Sequence, residues 1–163
     1  MFRVIGVDPG TSVAGWGVLE KNGGDARYVK SGKITLDSSL KIPNRLHSLF
    51  ENLKKVIEQQ RPTALAVETA FYSKNIQSTM RLGEARGVIL LCSELSGIKA
   101  YEYTPAKIKL SVTGNGNASK EQIQSMVRRL LRIPDIIKGD EADALAIALC
   151  HVYANRLDGF IKR

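Results

Sequence analysis

The chain is poor in the residues that build disulfide frameworks and soft metal sites. Only 2 cysteines and 2 histidines occur among its 163 residues. Cys92 and Cys150 both stand in apolar segments with a helical pattern, which is typical of reduced core residues in a cytosolic protein. His47 and His151 are far apart in the sequence, and no zinc-ligand spacing is present. A histidine-based metal site and a Cys₄ cluster are therefore excluded.

Long apolar runs are also missing. The longest, Val88–Cys92, is much shorter than the ~18 residues that a membrane span requires. Met1–Val4 carries no basic segment followed by an apolar stretch, so we expect no signal peptide. No repeat and no linker rich in proline, glycine or serine divides the chain. We expect a single domain over residues 1–163, located in the cytoplasm and without a membrane partner.

Acidic residues are outnumbered by basic ones. The chain has 24 lysines and arginines against 16 aspartates and glutamates, a formal net charge of +8 at pH 7. This excess favours a polyanionic partner, with nucleic acid ahead of a membrane surface. A merely basic protein without such a partner fits the charge equally well, so the function depends on where the few acids stand.

The apolar pattern predicts a sheet covered by helices. Three antiparallel strands come first, and two further strands then alternate with helices. The predicted strands are Phe2–Asp8, Ala14–Glu20, Ala26–Leu36, Thr63–Glu68 and Ile98–Tyr103. The predicted helices are Pro43–Gln60, Asn75–Ser96, Ala106–Val112, Ser119–Leu131 and Asp140–Leu157. This order predicts an α/β fold with a mixed five-stranded central sheet, an antiparallel meander plus parallel strands, flanked by helices.

Two predicted strands end in a carboxylate. Asp8 follows the apolar run VIGV, and Glu68 follows LAV. An acid at the edge of a core is costly unless it is hydrogen-bonded, neutralised or bound to a cation. A turn role within DPGT also accounts for Asp8. Glu68 has no such explanation, because glutamate is depleted in strands and offers no turn chemistry.

A second acidic pair opens the last predicted helix. Asp140 and Asp143 are three residues apart and therefore share one helix face. Capping and the helix dipole explain this pair by itself, but not the two acids at strand ends. Oxygen ligands on separate elements suit Mg²⁺ or Mn²⁺, and two such ions about 4 Å apart hydrolyse phosphodiesters. The acids therefore indicate a metal-dependent nuclease.

Four segments of the chain together resemble one known family. They are VIGVDPGT, ETAFYSKN leading into LGEARG, YTPAKIKLSVTGNGNASK, and GDEADALA. In this order they resemble RuvC, the bacterial Holliday-junction resolvases, over nearly the whole chain. The resemblance implies a ribonuclease-H-like fold, a homodimer, Mg²⁺ with Mn²⁺ as an alternative, and paired symmetric nicks in a four-way DNA junction during recombination and repair. It also implies a branch-migration helicase complex as partner, and the bacterial cytoplasm.

The resemblance also implies roles for individual residues. The catalytic acids, which would hold two Mg²⁺ ions per active site, are Asp8, Glu68, Asp140 and Asp143. The expected DNA-binding residues are Phe71, Tyr72, Asn75, Lys109 and Lys120. Glu141 stands where a small residue is more usual in the family. Which acid of the last helix binds metal most tightly is therefore left open.

Two aromatic residues, Phe71 and Tyr72, follow Glu68 and precede the long helix. A hydrophobic staple at the helix start needs an apolar fourth residue, but Gln77 or Thr79 stands there. We therefore favour stacking on an unpaired base. The resembling family uses an aromatic residue at the position of Phe71 in this way.

The long predicted helix carries glycines within an apolar stripe. The stripe consists of Ile76, Met80, Gly83, Gly87, Leu90, Leu91 and Leu95. A glycine inside a helix costs roughly 1 kcal/mol relative to alanine, which is easier to accept where another backbone comes close. That backbone belongs either to the sheet of the same protomer or to a second copy, and the resemblance favours the second copy.

Three other functions fit part of the pattern. An actin-like ATPase would explain the hairpin DPGTSVAGWGV, but it needs two such domains around its nucleotide. A non-catalytic nucleic-acid-binding module would explain the charge and the aromatics, but not four acids. A related nuclease acting on another branched or RNA-containing substrate fits the same residues.

Overall fold

A computed structural model describes residues 2–23, 25–69, 75–133, 137 and 139–161, with side chains up to residue 154. Its strands are β1 (Phe2–Asp8), β2 (Val13–Lys21), β3 (Arg27–Thr35), β4 (Ala64–Glu68) and β5 (Lys99–Tyr103). Its helices are α1 (Ile42–Gln60), α2 (Ile76–Leu95), α3 (Pro105–Thr113), α4 (Lys120–Leu131) and α5 (Asp140–Ile161). Every predicted element is present, and only the ends differ. Proline favours the first helical turn, so α1 begins one residue before Pro43 rather than at it.

The five strands form one mixed sheet in the order β3-β2-β1-β4-β5. β1, β2 and β3 pair antiparallel, whereas β4 pairs parallel with both β1 and β5. The predicted meander with added parallel strands is therefore confirmed. Parallel pairing of β1 with β4 places their carboxyl ends at the same edge of the sheet, with Val7 opposite Val67.

Helices cover both faces of this sheet with apolar side chains. On one face, residues such as Ile5 and Val67 pack with α1 and α2. On the other face, residues such as Val4 and Ala66 pack with α3, α4 and α5. Successive side chains of a strand point to opposite faces. The last residues of β1 and β4 therefore face α5.

Helix α5 lies directly on β1 and β2 because glycines clear its path. A Cβ atom on Gly6 would collide with the carbonyl oxygen of Ala144, and one on Gly15 with that of Asp140. Glycine in a strand interior often marks such a close backbone approach. The contact brings the first turn of α5 to the carboxyl end of β1.

A buried polar contact ties α5 to the neighbouring strand β5. His151 is fully buried, and its Nδ1 lies 2.6 Å from the hydroxyl oxygen of Tyr103. Its ring packs on Tyr101, with centroids 4.4 Å apart. Burial lowers the pKa of His151 to about 4, so the ring is neutral at pH 7.

Both cysteines are free and buried, in agreement with their predicted core positions. Burial raises the pKa of both thiols. Among the residues described, none of the helices combines the length and the apolarity needed to cross a bilayer.

Candidate active site

Two carboxylates project from neighbouring strand ends. Asp8 ends β1 and Glu68 ends β4, and these strands are parallel partners. Both residues continue the series of side chains that face α5, as strand alternation requires. The sequence pattern that placed an acid after each apolar run thus places both acids at one edge of the sheet.

The first turn of α5 adds two further acids to this edge. Asp140 and Asp143 stand in that turn, and one carboxylate oxygen from each of Asp8, Asp140 and Asp143 lies within 4.8 Å of the others. Glu68 lies on β4. In the sheet, β1 separates β4 from β2, and α5 begins above β2. Glu68 lines the same open cavity of about 270 Å³ as Asp8 and Asp143.

The acids raise the energy of one another's charged forms. Burial raises the pKa of Asp8 from its ordinary value of 3.8 to about 7, and repulsion from Asp143, Glu68 and Asp140 adds to the effect. Lys120 acts in the opposite direction. Near pH 7 the protein without a bound cation therefore holds a proton on Asp8 for much of the time.

Glu68 has the same kind of environment. Burial, and then the charge of Asp143, raise the pKa of Glu68, whereas Lys109 lowers it. Lys109 lines the same cavity as Glu68. The predicted DNA-binding lysine on α3 thus lies within electrostatic range of the acids.

The donor set fits a hard divalent cation. Asp8, Asp140 and Asp143 offer only carboxylate oxygens, and they come from two separate rigid elements. Such ligands suit Mg²⁺ or Mn²⁺ rather than zinc or copper. A divalent ion would also relieve the repulsion that raises the pKa of Asp8.

Lys120 stands beside the acids at the start of α4. Its Nζ lies 2.7 Å from Oδ2 of Asp143, although 59% of its side chain is exposed. A capping box formed by Ser119 and Gln122 begins α4 and so fixes the position of the lysine. Gln124 adds a hydrogen bond to the other oxygen of Asp143, at 3.3 Å.

Of the other predicted DNA-binding residues, the structure describes Asn75 but not the two aromatic residues. Asn75 caps α2, where its side-chain oxygen accepts a hydrogen bond of 3.2 Å from the backbone N–H of Ser78. This contact is a structural role, and DNA binding by Asn75 stays a prediction. Phe71 and Tyr72 lie outside the described residues.

Two contacts from β3 to α5 escape prediction from the sequence. The Ser31 hydroxyl donates a hydrogen bond of 2.6 Å to Glu141, which draws this acid toward β3. The Lys33 Nζ lies 3.6 Å from Oδ2 of Asp140. An edge-strand lysine carries no local signal for such a contact, because its partner is far away in the sequence.

The sheet order, with acids at the ends of β1 and β4 and at the start of α5, defines the class of ribonuclease-H-like proteins with a carboxylate-lined candidate metal site. Within this class, the chain belongs to the RuvC family. The family model described as crossover junction endodeoxyribonuclease RuvC matches residues 4–151.

Curated relatives match nearly the full chain. The RuvC of Geotalea uraniireducens is 40% identical over 161 residues, which are 99% of this chain and 94% of that protein. The RuvC of Geobacter metallireducens is 44% identical over 161 residues, 99% of this chain and 98% of that protein.

Solved structures show the same architecture. Thermus thermophilus RuvC in complex with a Holliday junction substrate superposes with a TM-score of 0.90 and 30% identity, covering 97% of each chain. The yeast mitochondrial Holliday junction resolvase Ydc2 shares the fold with a TM-score of 0.65 and 16% identity, covering 98% of this chain and 84% of that one. The predicted fold class is therefore confirmed.

Proposed function

We propose that this protein is a structure-selective DNA endonuclease. It resolves four-way junctions by paired symmetric nicks, through metal-dependent phosphodiester hydrolysis in recombination and repair. The observation that carries the proposal is the convergence of Asp8, Asp140 and Asp143 beside a lysine on a different helix. The names of the curated relatives, and the junction bound to Thermus thermophilus RuvC, support the choice of substrate.

The four acids and two lysines have complementary tasks in this proposal. The acids that would hold two Mg²⁺ ions, with Mn²⁺ as an alternative, are Asp8, Glu68, Asp140 and Asp143. When bound, such ions activate a water and stabilise the leaving oxygen of the phosphodiester. Lys109 and Lys120 line the cavity beside the acids and hold backbone phosphates there. Asp8 must lose its proton before it can act as a ligand, so metal binding weakens below pH 7.

Incubation with a synthetic four-way junction and a matching linear duplex, each with Mg²⁺ and with EDTA, tests the proposal. We expect paired nicks in the junction with Mg²⁺ only, and an intact duplex. Junction binding without cleavage would favour the non-catalytic module, and ATP hydrolysis would favour the ATPase. Equal cutting of other branched or RNA-containing substrates would point to the related nuclease.

The dimer proposal is supported by the exposed face of α2. Ile76 and Leu95 expose 76% and 67% of their surface, and Met80 and Leu91 are exposed as well. Leu90 packs instead against the side chains of α1 and the sheet, so it does not belong to the exposed stripe.

The two glycines of α2 indicate what covers this stripe. A Cβ atom on Gly83 or Gly87 would meet no atom of the described residues within 4 Å. The sheet of the same protomer therefore does not require these glycines. We propose that a second copy approaches here, because paired cuts in a two-fold symmetric junction need two symmetric active sites.

Three broader proposals rest on the family resemblance. Residues 1–163 act as one nuclease domain, a branch-migration helicase complex is a further partner, and the protein works in the bacterial cytoplasm. The bacterial relatives that match nearly the full chain support them.

Lys120→Ala is expected to weaken junction binding, because about one lysine–phosphate contact is lost. The slope of log affinity against log salt should fall by about 0.9 for duplex-like arms, because one counterion fewer is released. Fluorescence anisotropy across a salt series measures this slope. An unchanged slope would mean that Lys120 only balances the charge of Asp143.

Phe71→Ala is expected to separate junction recognition from general DNA affinity. An aromatic side chain that stacks on an unpaired base gains about 1–3 kcal/mol, and only a branch point offers such a base. Junction affinity should therefore fall, whereas duplex affinity, carried by lysine–phosphate contacts, should hardly change. Equal weakening on both DNAs together with a lower melting temperature would show that Phe71 is a core residue.

A further inference from the structure

A third lysine stands at the acid group, on a different side from Lys109 and Lys120. Lys33 lies on β3, an edge strand of the sheet, and its Nζ is 3.6 Å from Oδ2 of Asp140. Lys120 reaches Asp143 from α4 instead. Asp140 and Asp143 thus each have their own lysine, supplied by separate elements of the fold.

The backbone around Lys33 leaves space for its side chain. Lys33 pairs across the strands with Gly15, and cross-strand partners share a face of the sheet. Because Gly15 has no side chain, the backbone of Asp140 sits directly above it. At the turn that begins α5, Gly139 adopts a left-handed φ of 60°, and a Cβ atom on it would lie 3.8 Å from the Lys33 Nζ.

The ion pair with Asp140 does not by itself explain why a lysine stands at this place on β3. The side chains of Lys33 and Asp140 are 43% and 36% exposed, and such solvated ion pairs contribute little to stability. An ion bound to Asp140 would repel the ammonium group from its place. A backbone phosphate of bound DNA would offer the displaced ammonium group a new partner at this edge.

We propose that Lys33 is a further DNA-binding residue, which contacts a backbone phosphate on the Asp140 side of the acid group. The strand to be cut is then held from two sides, by Lys33 on β3 and by Lys120 on α4. This inference rests on the proposed junction-cleaving function. It adds a contact that no motif of the sequence indicates.

Junction binding by Lys33→Gln across a salt series tests the proposal. The measurement uses Ca²⁺, a hard cation with the same preference for oxygen ligands, so that the acids carry metal. The slope of log affinity against log salt should fall by about 0.9 relative to the wild-type protein. Lys33→Arg, which keeps the charge, should restore the slope. Lys30→Gln is the matched control, because it removes the same charge. Lys30 is exposed on the same strand but faces the opposite side of the sheet. The slope of Lys30→Gln should therefore stay close to that of the wild-type protein.

Two results would overturn the role of Lys33. In the first, Lys33→Gln keeps the wild-type salt slope and only needs less Mg²⁺ for half-maximal cleavage. Lys33 would then be a counter-ion of Asp140 and not a DNA contact. The other is an equal loss of slope in Lys30→Gln, which would make the effect one of net charge. Failure of the wild-type protein to cut the junction would instead contradict the proposed function. Equal melting temperatures confirm that the variants are folded.

Discussion

Asp8→Asn is expected to lower junction cleavage by ~10³-fold or more, which corresponds to about 4 kcal/mol of transition-state stabilisation. Asparagine keeps the size of the side chain but removes the charge that a metal ligand needs at the centre of the acid group. Junction binding should be retained, since the lysines that hold phosphates are unchanged. Single-turnover cleavage with Mg²⁺ and anisotropy with the same junction measure the two effects separately.

The same substitution should stabilise the protein when no metal is present. The pKa of Asp8 is about 7 in the folded chain and 3.8 ordinarily, so folding loses stability as the pH rises between these values. Asparagine does not titrate, and the variant should gain on the order of 2–4 kcal/mol over the wild type above pH 7. Thermal melts at pH 5 and pH 8, with and without Mg²⁺, should show a difference that grows from pH 5 to pH 8 when no metal is present.

A matched control removes an acid elsewhere. Glu58 is exposed on α1, so Glu58→Gln changes the net charge equally without touching the site. It should leave both cleavage and the pH dependence of melting unchanged. Near wild-type nicking by Asp8→Asn would contradict metal-dependent catalysis at this position.

Gly83→Leu is expected to convert the proposed dimer into a monomer and to abolish coordinated paired nicking. Among the described residues of one protomer, nothing lies within 4 Å of the Cβ atom that the substitution adds. Replacing a helical glycine with leucine also favours the helix, by up to about 1 kcal/mol. We therefore expect the protomer to stay folded, and an unchanged melting temperature of the monomer checks this. Sedimentation velocity measures the oligomeric state, and a cruciform plasmid assay separates single nicks from linear product.

Gln59→Leu serves as the control for an added surface leucine. Gln59 is exposed on α1, on the same face of the sheet as α2 but outside the stripe. This variant should remain a dimer with normal paired cutting. If Gly83→Leu also stays a dimer, the interface lies elsewhere. A monomer that still cuts both strands together would contradict the need for two symmetric active sites.

Much of the fold follows from the sequence alone. Short apolar runs separated by turn residues specify β1 to β3 as a meander, and helical periodicity specifies the helices between and after the parallel strands. These signals are local, because each depends on neighbours within one or two turns of chain. The carboxylates that end β1 and β4 were identifiable for the same reason: each interrupts an apolar strand with a charge that a core does not tolerate.

Distances between elements were decided by the tertiary structure. Whether Asp140 and Asp143 meet Asp8 depends on how closely α5 approaches the sheet, and Gly6 and Gly15 permit that approach only in the folded packing. The hydrogen bond from Ser31 to Glu141 depends on the same packing.

The contact of the lysine on β3 and the surroundings of the glycines on α2 were likewise decided by the tertiary structure. Lys33 meets Asp140 only because β2 pairs with β3 in one register and α5 lies across both β1 and β2. The sequence left two explanations for Gly83 and Gly87, and the part of the chain that the structure describes places no atom within 4 Å of a Cβ on either, which argues against the one within the protomer. Patterning along a chain specifies which face of an element is apolar. Contacts between residues far apart in sequence arise only when packing brings whole elements together.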